Sequence, residues 1–235
     1  MRKLTLGLDA LPSLREATHS DIDVAAAATL SELAGVDAVR LGITEDLKPV
    51  REQDVLEARR ATRVLELRMP PVPGLVKVAL AARPNRVLLA SPGRDGRSPS
   101  WPLDLRGRRG ALEPVIRVLG EAGIPVGALV QPDIDSVKTA HGQGVGRVEL
   151  FTGVLVDLPM SERHSALEGL GDAVRLAAKL HIGVSLGGGL SYRALPEILE
   201  AAPAVEGVAV GRGAIARAML VGLDRALRDL RGVVA

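Results

Sequence analysis

Two glutamates stand where the sequence pattern calls for apolar residues. Glu66 interrupts Val64-Leu65-Glu66-Leu67, and Glu149 interrupts Val148-Glu149-Leu150. A carboxylate inside a buried strand costs free energy unless it is paired or faces a ligand. Each glutamate therefore has two readings. One is a general acid or base at the ligand end of its strand, with a pKa raised by burial. The other is a structural ion pair with Arg15, Arg40 or Arg68. A second kind of chemistry belongs to glycines. Val184-Ser185-Leu186-Gly187-Gly188-Gly189-Leu190 and Val208-Ala209-Val210-Gly211-Arg212-Gly213-Ala214 are apolar runs that break into glycines and reopen as helices. At such a turn backbone N–H groups can approach an anion closely, and the helix N-terminus adds partial positive charge. Gly187, Gly188, Gly189, Gly211 and Arg212 are thus the candidate phosphate-binding residues; the lesser reading is that glycine here caps or tightens a connection.

The remaining reactive side chains say less. His141 and His181 fall at helix-to-strand junctions, on the face opposite the candidate ligand end, while His19 and His164 lie in or near strand-to-helix loops. No His/Asp/Glu spacing suits a metal, and no metal or cofactor is expected. Lys48 is the only lysine in a loop on the ligand side, and none sits at the ligand end of a strand, which argues against Schiff-base chemistry.

The elements that must position these groups alternate regularly. Strands are expected near 3–8, 36–41, 63–68, 85–90, 124–130, 146–151, 182–186 and 206–210. Helices are expected near 22–34, 51–61, 73–82, 108–122, 133–142, 163–180, 192–201 and 214–230. Most of the strands are apolar along much of their length, as parallel strands covered on both faces are. Eight βα units fit an open doubly wound sheet or a (β/α)8 barrel. The paired glycine turns at the end favour the barrel, where the loops after strands 7 and 8 often hold phosphate. No linker or shift in composition divides the chain, so one domain over 1–235 is expected. The longest connection, 91–109, carries Gly-Arg-Asp-Gly-Arg at 93–97 and the sole tryptophan, Trp101. It reads as a lid, a disordered bulge or an oligomer contact.

Composition removes other classes of function. Thirty Lys and Arg against 28 Asp and Glu leave a formal charge of +2, and aromatic residues make up 1% of the chain. There is neither a strong basic surplus nor a set of stacking rings for nucleic acid. Without cysteine there is no thiol or disulfide chemistry. With no long apolar run, neither a signal peptide nor a membrane span is expected; the expectation is a cytoplasmic protein.

Taken together, these features resemble the pyridoxine 5′-phosphate synthase (PdxJ) family. The likeness is carried by Leu6-Gly7 with Ser13-Leu14-Arg15, Ala34-Gly35-Val36-Asp37-Ala38, Glu45-Asp46 with Asp54-Val55, and Leu65-Glu66. It continues through Glu149 with Thr152-Gly153, Gly187, Gly189-Leu190 with Tyr192, Arg217-Ala218 and Gly222-Leu223. The resemblance implies a (β/α)8 barrel that condenses 1-deoxy-D-xylulose 5-phosphate with 3-amino-2-oxopropyl phosphate, and a homo-oligomer. It implies Glu66 as catalytic acid/base, Arg15 and Glu149 at the substrate, and phosphate at the glycine turns. The departures are specific. Gly42 and Thr44 stand where the family has a histidine and an arginine, and Pro49 and Gly188 stand where it has further histidines. Glycine and proline cannot move protons near neutral pH as imidazole does. The expectation is therefore a divergent relative that keeps a phosphate or phosphorylated-ligand site and has reduced or lost synthase activity. It would serve as a binding, regulatory or structural subunit, with room for an unidentified protein partner. The alternative is an active enzyme with Glu66 as base.

Overall fold

The structure, a computed structural model, describes all residues except 94–97, 99, 108 and 157. Eight parallel strands close on themselves in sequence order. They are β1 (Lys3–Gly7), β2 (Ala38–Gly42), β3 (Leu65–Met69), β4 (Arg86–Leu89), β5 (Val126–Val130), β6 (Arg147–Phe151), β7 (Gly183–Gly187) and β8 (Gly207–Val210). The barrel closes where Lys3 to Leu6 of β1 align with Gly207 to Val210 of β8.

Side chains on a strand alternate between faces, and here the two faces differ in chemistry. Leu4, Leu6, Val39, Leu41, Leu65, Leu67, Val148, Leu150, Val184, Leu186, Val208 and Val210 are buried in the large aliphatic core shared with the helices. Burying one such leucine contributes roughly 1.5–3 kcal/mol. The residues between them, Thr5, Arg40, Glu66, Glu149 and Ser185, line the barrel's interior. The expectation of strands apolar on both faces holds for the outward one; the inward one is polar at the barrel's centre and apolar at Leu88, Leu129 and Phe151.

The helices of the outer layer fall largely where the sequence placed them: α2 (Val24–Leu33), α3 (Glu52–Ala61), α4 (Pro73–Ala82), α5 (Arg109–Glu121), α6 (Ile134–Gly142), α8 (Met160–Lys179) and α9 (Leu195–Ala201). Asp23 and Asp133 accept hydrogen bonds from the Ala26 and Ser136 amides and so cap α2 and α6. Three departures matter for the site. The first connection is itself helical, α1 (Ala10–Thr18), and a short α7 (Gly153–Val156) follows β6. The last expected helix is two, α10 (Arg212–Val221) and α11 (Leu223–Val234), divided at Gly222, whose φ of +84° a helix cannot continue through.

Candidate functional site

The centre of the barrel is a buried cluster of four charges. Arg40, 4% exposed, reaches across the interior from the third position of β2. Its Nη1 donates to Glu149 Oε1 at 2.8 Å, its Nη2 donates to Glu149 Oε2, and its Nε donates to Glu66 Oε1. The other oxygen of Glu66 accepts from Arg86 Nε. Strand register makes this possible, because Arg40 aligns with Glu66 on β3 and Glu66 with Arg86 on β4. Burial alone would raise the Glu66 pKa. The Arg40 and Arg86 charges and hydrogen bonds outweigh it and hold the carboxyl at about 2. Burial would likewise lower the Arg40 pKa, but Glu149 and Glu66 keep it above its ordinary value. The expectation of a burial-raised carboxyl is therefore corrected for Glu66. What remains of the space among Lys3, Thr5, Arg40, Glu66, Arg86 and Arg147 is about 10 Å³, room for at most one water. It lies toward the amino-terminal ends of the strands, since Lys3, Arg86 and Arg147 are each the first residue of theirs.

The carboxyl-terminal mouth is built differently. Gly188 and Gly189 follow β7 with φ of +89° and +70°. A Cβ at 188 would overlap the Phe151 ring, and one at 187 would overlap the Glu149 carboxylate. Glycine here thus answers both to conformation and to close approach. Thr152 Oγ1 donates to the Gly187 and Gly188 carbonyls at 3.1 and 2.5 Å, so those carbonyls are turned toward β6. Gly211 stands at the N-terminus of α10, which no side chain caps. That end packs on the β7 turn so closely that a Cβ at Gly213 would lie 2.9 Å from the Leu190 carbonyl oxygen. The two glycine turns are neighbours, and backbone amides at such a junction can hold an anion. Tyr192 braces the arrangement. Its hydroxyl donates to the Ala226 carbonyl at 2.6 Å, and Arg217 of α10 lies over its ring, 5.0 Å from the centroid, while pairing with Asp229.

Between mouth and centre sits a small apolar plug of Leu88, Ala90, Leu129 and Phe151. Trp101 packs on it, its ring centroid 5.0 Å from that of Phe151. The base of the long connection is pinned there, because Ser91 and Trp101 exchange backbone hydrogen bonds and the Leu103 amide donates to the Leu129 carbonyl. Of the Gly-Arg-Asp-Gly-Arg segment only Gly93 is described; 94–97 lie outside the described residues.

By their contacts the sequence-derived candidates fall into three sets. Glu66 and Glu149 meet through Arg40 in the interior. Gly187, Gly188, Gly189, Gly211 and Arg212 meet at the mouth. Glu149 joins the two groups, since its carboxylate lies against Gly187. Arg15 is separate. Its Nη1 and Nη2 bind the two oxygens of Asp54 at 2.7 and 2.8 Å. Arg68 likewise pairs with Asp9, which also accepts from the Gly42 amide. Of the three arginines considered as partners for the glutamates, Arg40 is the one. His164 is exposed and pairs with Glu168, and His19 ends α1 on the surface. Among the described residues no group of three His, Cys, Asp or Glu side chains could hold a metal. No helix among them is long and apolar enough to cross a membrane. Arg86 and Phe151 were not singled out from the sequence. A signal existed for each: Arg86 opens an apolar strand, and Phe151 is the chain's sole phenylalanine, placed where β6 ends.

Against known families, the model described as pyridoxal phosphate biosynthesis protein PdxJ matches residues 4–235. The chain belongs to the PdxJ family. Two PdxJ relatives, both named pyridoxine 5′-phosphate synthase, come from Geobacter metallireducens and Citrifermentans bemidjiense. The first is 32% identical over 98% of this chain and 97% of its own length, the second 32% over 100% and 99%. Among solved structures the PdxJ barrel is similar to thiamine phosphate pyrophosphorylase from Pyrococcus furiosus. That match has a TM-score of 0.62, 19% identity, and 98% and 94% of the two chains covered. It is also similar to 3-hexulose-6-phosphate synthase, with a TM-score of 0.65, 17% identity, and 99% and 100% covered. At these identities the two structures speak for the fold alone.

Proposed function

We propose that this PdxJ-family barrel binds phosphate or a phosphorylated small molecule at its carboxyl-terminal mouth and makes little or no pyridoxine 5′-phosphate. The observation that carries the second half is the engagement of Glu66. A general base must be free to reach a substrate proton and must have a pKa near the working pH. Glu66 accepts from two arginines, is held at about pKa 2, and faces a space of about 10 Å³. The first half is supported by the adjacent turns 187–189 and 211–213 and by the uncapped N-terminus of α10. In this reading Glu149 fixes Arg40 and backs the mouth, and Arg15 holds α1 against α3. Assembly with further copies is part of the reading as well, supported by the exposed Leu30 and Leu33 on α2 and Met219 and Leu220 on α10; light scattering that finds a monomer at micromolar concentration removes that part.

A second reading is an active synthase, favoured by 32% identity over the whole chain to relatives of that name. A product assay with 1-deoxy-D-xylulose 5-phosphate and 3-amino-2-oxopropyl phosphate, run beside a calorimetric titration with inorganic phosphate, separates the two. Heat of binding without product supports the proposal. Product at enzymatic rates supports the second reading, and neither heat nor product removes both.

A further inference from the structure

Arg40 is bound by the barrel as a ligand would be. One planar cation lies between two carboxylates from opposite sides of the interior, with a two-pronged hydrogen bond to Glu149 and a third bond to Glu66. Glu149 is 1% exposed and Glu66 4%. Buried carboxylates arranged in this way select a flat, multiply donating cation over a spherical one, because the fork of a guanidinium matches the two oxygens of a carboxylate. Arg86 compensates only one oxygen of Glu66 and none of Glu149. Without the Arg40 side chain, the interior would hold two carboxylates, Arg86 on one oxygen of Glu66, Lys3 and Arg147 at the amino-terminal rim, and an empty space shaped for the guanidinium.

The geometry points to Arg40 as the built-in occupant of a dicarboxylate site for a small planar cation, and as the single residue that closes the barrel centre to such a ligand. The inference rests on the closed centre of the function proposed above and not on the phosphate mouth. Titrating the unaltered protein with phosphate tests that mouth without touching Arg40, so the two readings can fail separately.

The test uses the full chain as Arg40→Ala. Removing one member of a buried ion cluster should lower its thermal midpoint by roughly 10 °C. Millimolar guanidinium, supplied as its chloride, should restore a large part of that loss, while sodium chloride and tetramethylammonium chloride at equal ionic strength should not. The unaltered protein should show no such response. In Arg40→Ala/Glu149→Gln the guanidinium affinity should fall by roughly tenfold or more, since the two-pronged bond is lost. If Arg40→Ala does not fold in plain buffer, recovery of folded protein with guanidinium and not with sodium supports the assignment. A midpoint that responds alike to all three salts, an affinity unchanged by Glu149→Gln, or no recovery with guanidinium overturns it.

Discussion

The centre of the barrel and its carboxyl-terminal mouth handle polar groups in opposite ways. In the centre, Arg40, Glu66, Glu149 and Arg86 satisfy one another through side chains, and little space is left over. At the mouth two glycine turns and the start of α10, which no side chain caps, add backbone groups beside side chains such as Thr152. A side-chain site is lost or filled by a single substitution, whereas a backbone site persists as long as the turn keeps its shape. Within one barrel, binding at the mouth can therefore outlast chemistry at the centre.

The sharpest way to break this contrast is to remove one charge from the centre. Glu66→Ala leaves Arg86 without its carboxylate and Arg40 with Glu149 alone, and should cost about 4 kcal/mol of unfolding free energy, read from urea denaturation. A cost below about 1 kcal/mol would mean that the cluster is not tightly closed. Acid should act on the same group. The Glu66 pKa is depressed from 4.5 to about 2, so its stabilisation is complete above about pH 4.5 and is lost as pH falls toward 2. The loss over that window should be on the order of 3 kcal/mol, and in Glu66→Ala the stability curve should be flatter there.

The mouth should respond to shape rather than charge. Gly188→Ala places a Cβ at φ +89° and against Phe151, and should cost about 2 kcal/mol. It should also weaken phosphate binding by roughly tenfold; unchanged calorimetric affinity would place the anion elsewhere. The smallest effect belongs to Tyr192→Phe. It removes one hydrogen bond to Ala226 and should cost about 1 kcal/mol in thermal unfolding, with a modest loss of phosphate affinity as α10 loosens.

The contrast was partly legible in the sequence. Runs such as Val184-Ser185-Leu186 and Val208-Ala209-Val210 ended in glycines, which fixed both the strands and the mouth. Glu66 and Glu149 showed as charges inside apolar runs, and Arg40 was among their candidate partners. The direction in which Glu66 reaches was not legible, because it depends on the stagger that aligns Arg40, Glu66 and Arg86 on three strands. Helix α1 was hidden by Pro12 and by its short length of nine residues. The break at Gly222 was hidden because α10 and α11 together read as one continuous helical pattern.

The central claim is that a barrel whose Glu66 is held between Arg40 and Arg86 cannot serve as a synthase. The direct measurement is pyridoxine 5′-phosphate formed by the purified, unaltered chain from 1-deoxy-D-xylulose 5-phosphate and 3-amino-2-oxopropyl phosphate at neutral pH. The account predicts no product above the uncatalysed background. Turnover of about 1 per second or faster would contradict it.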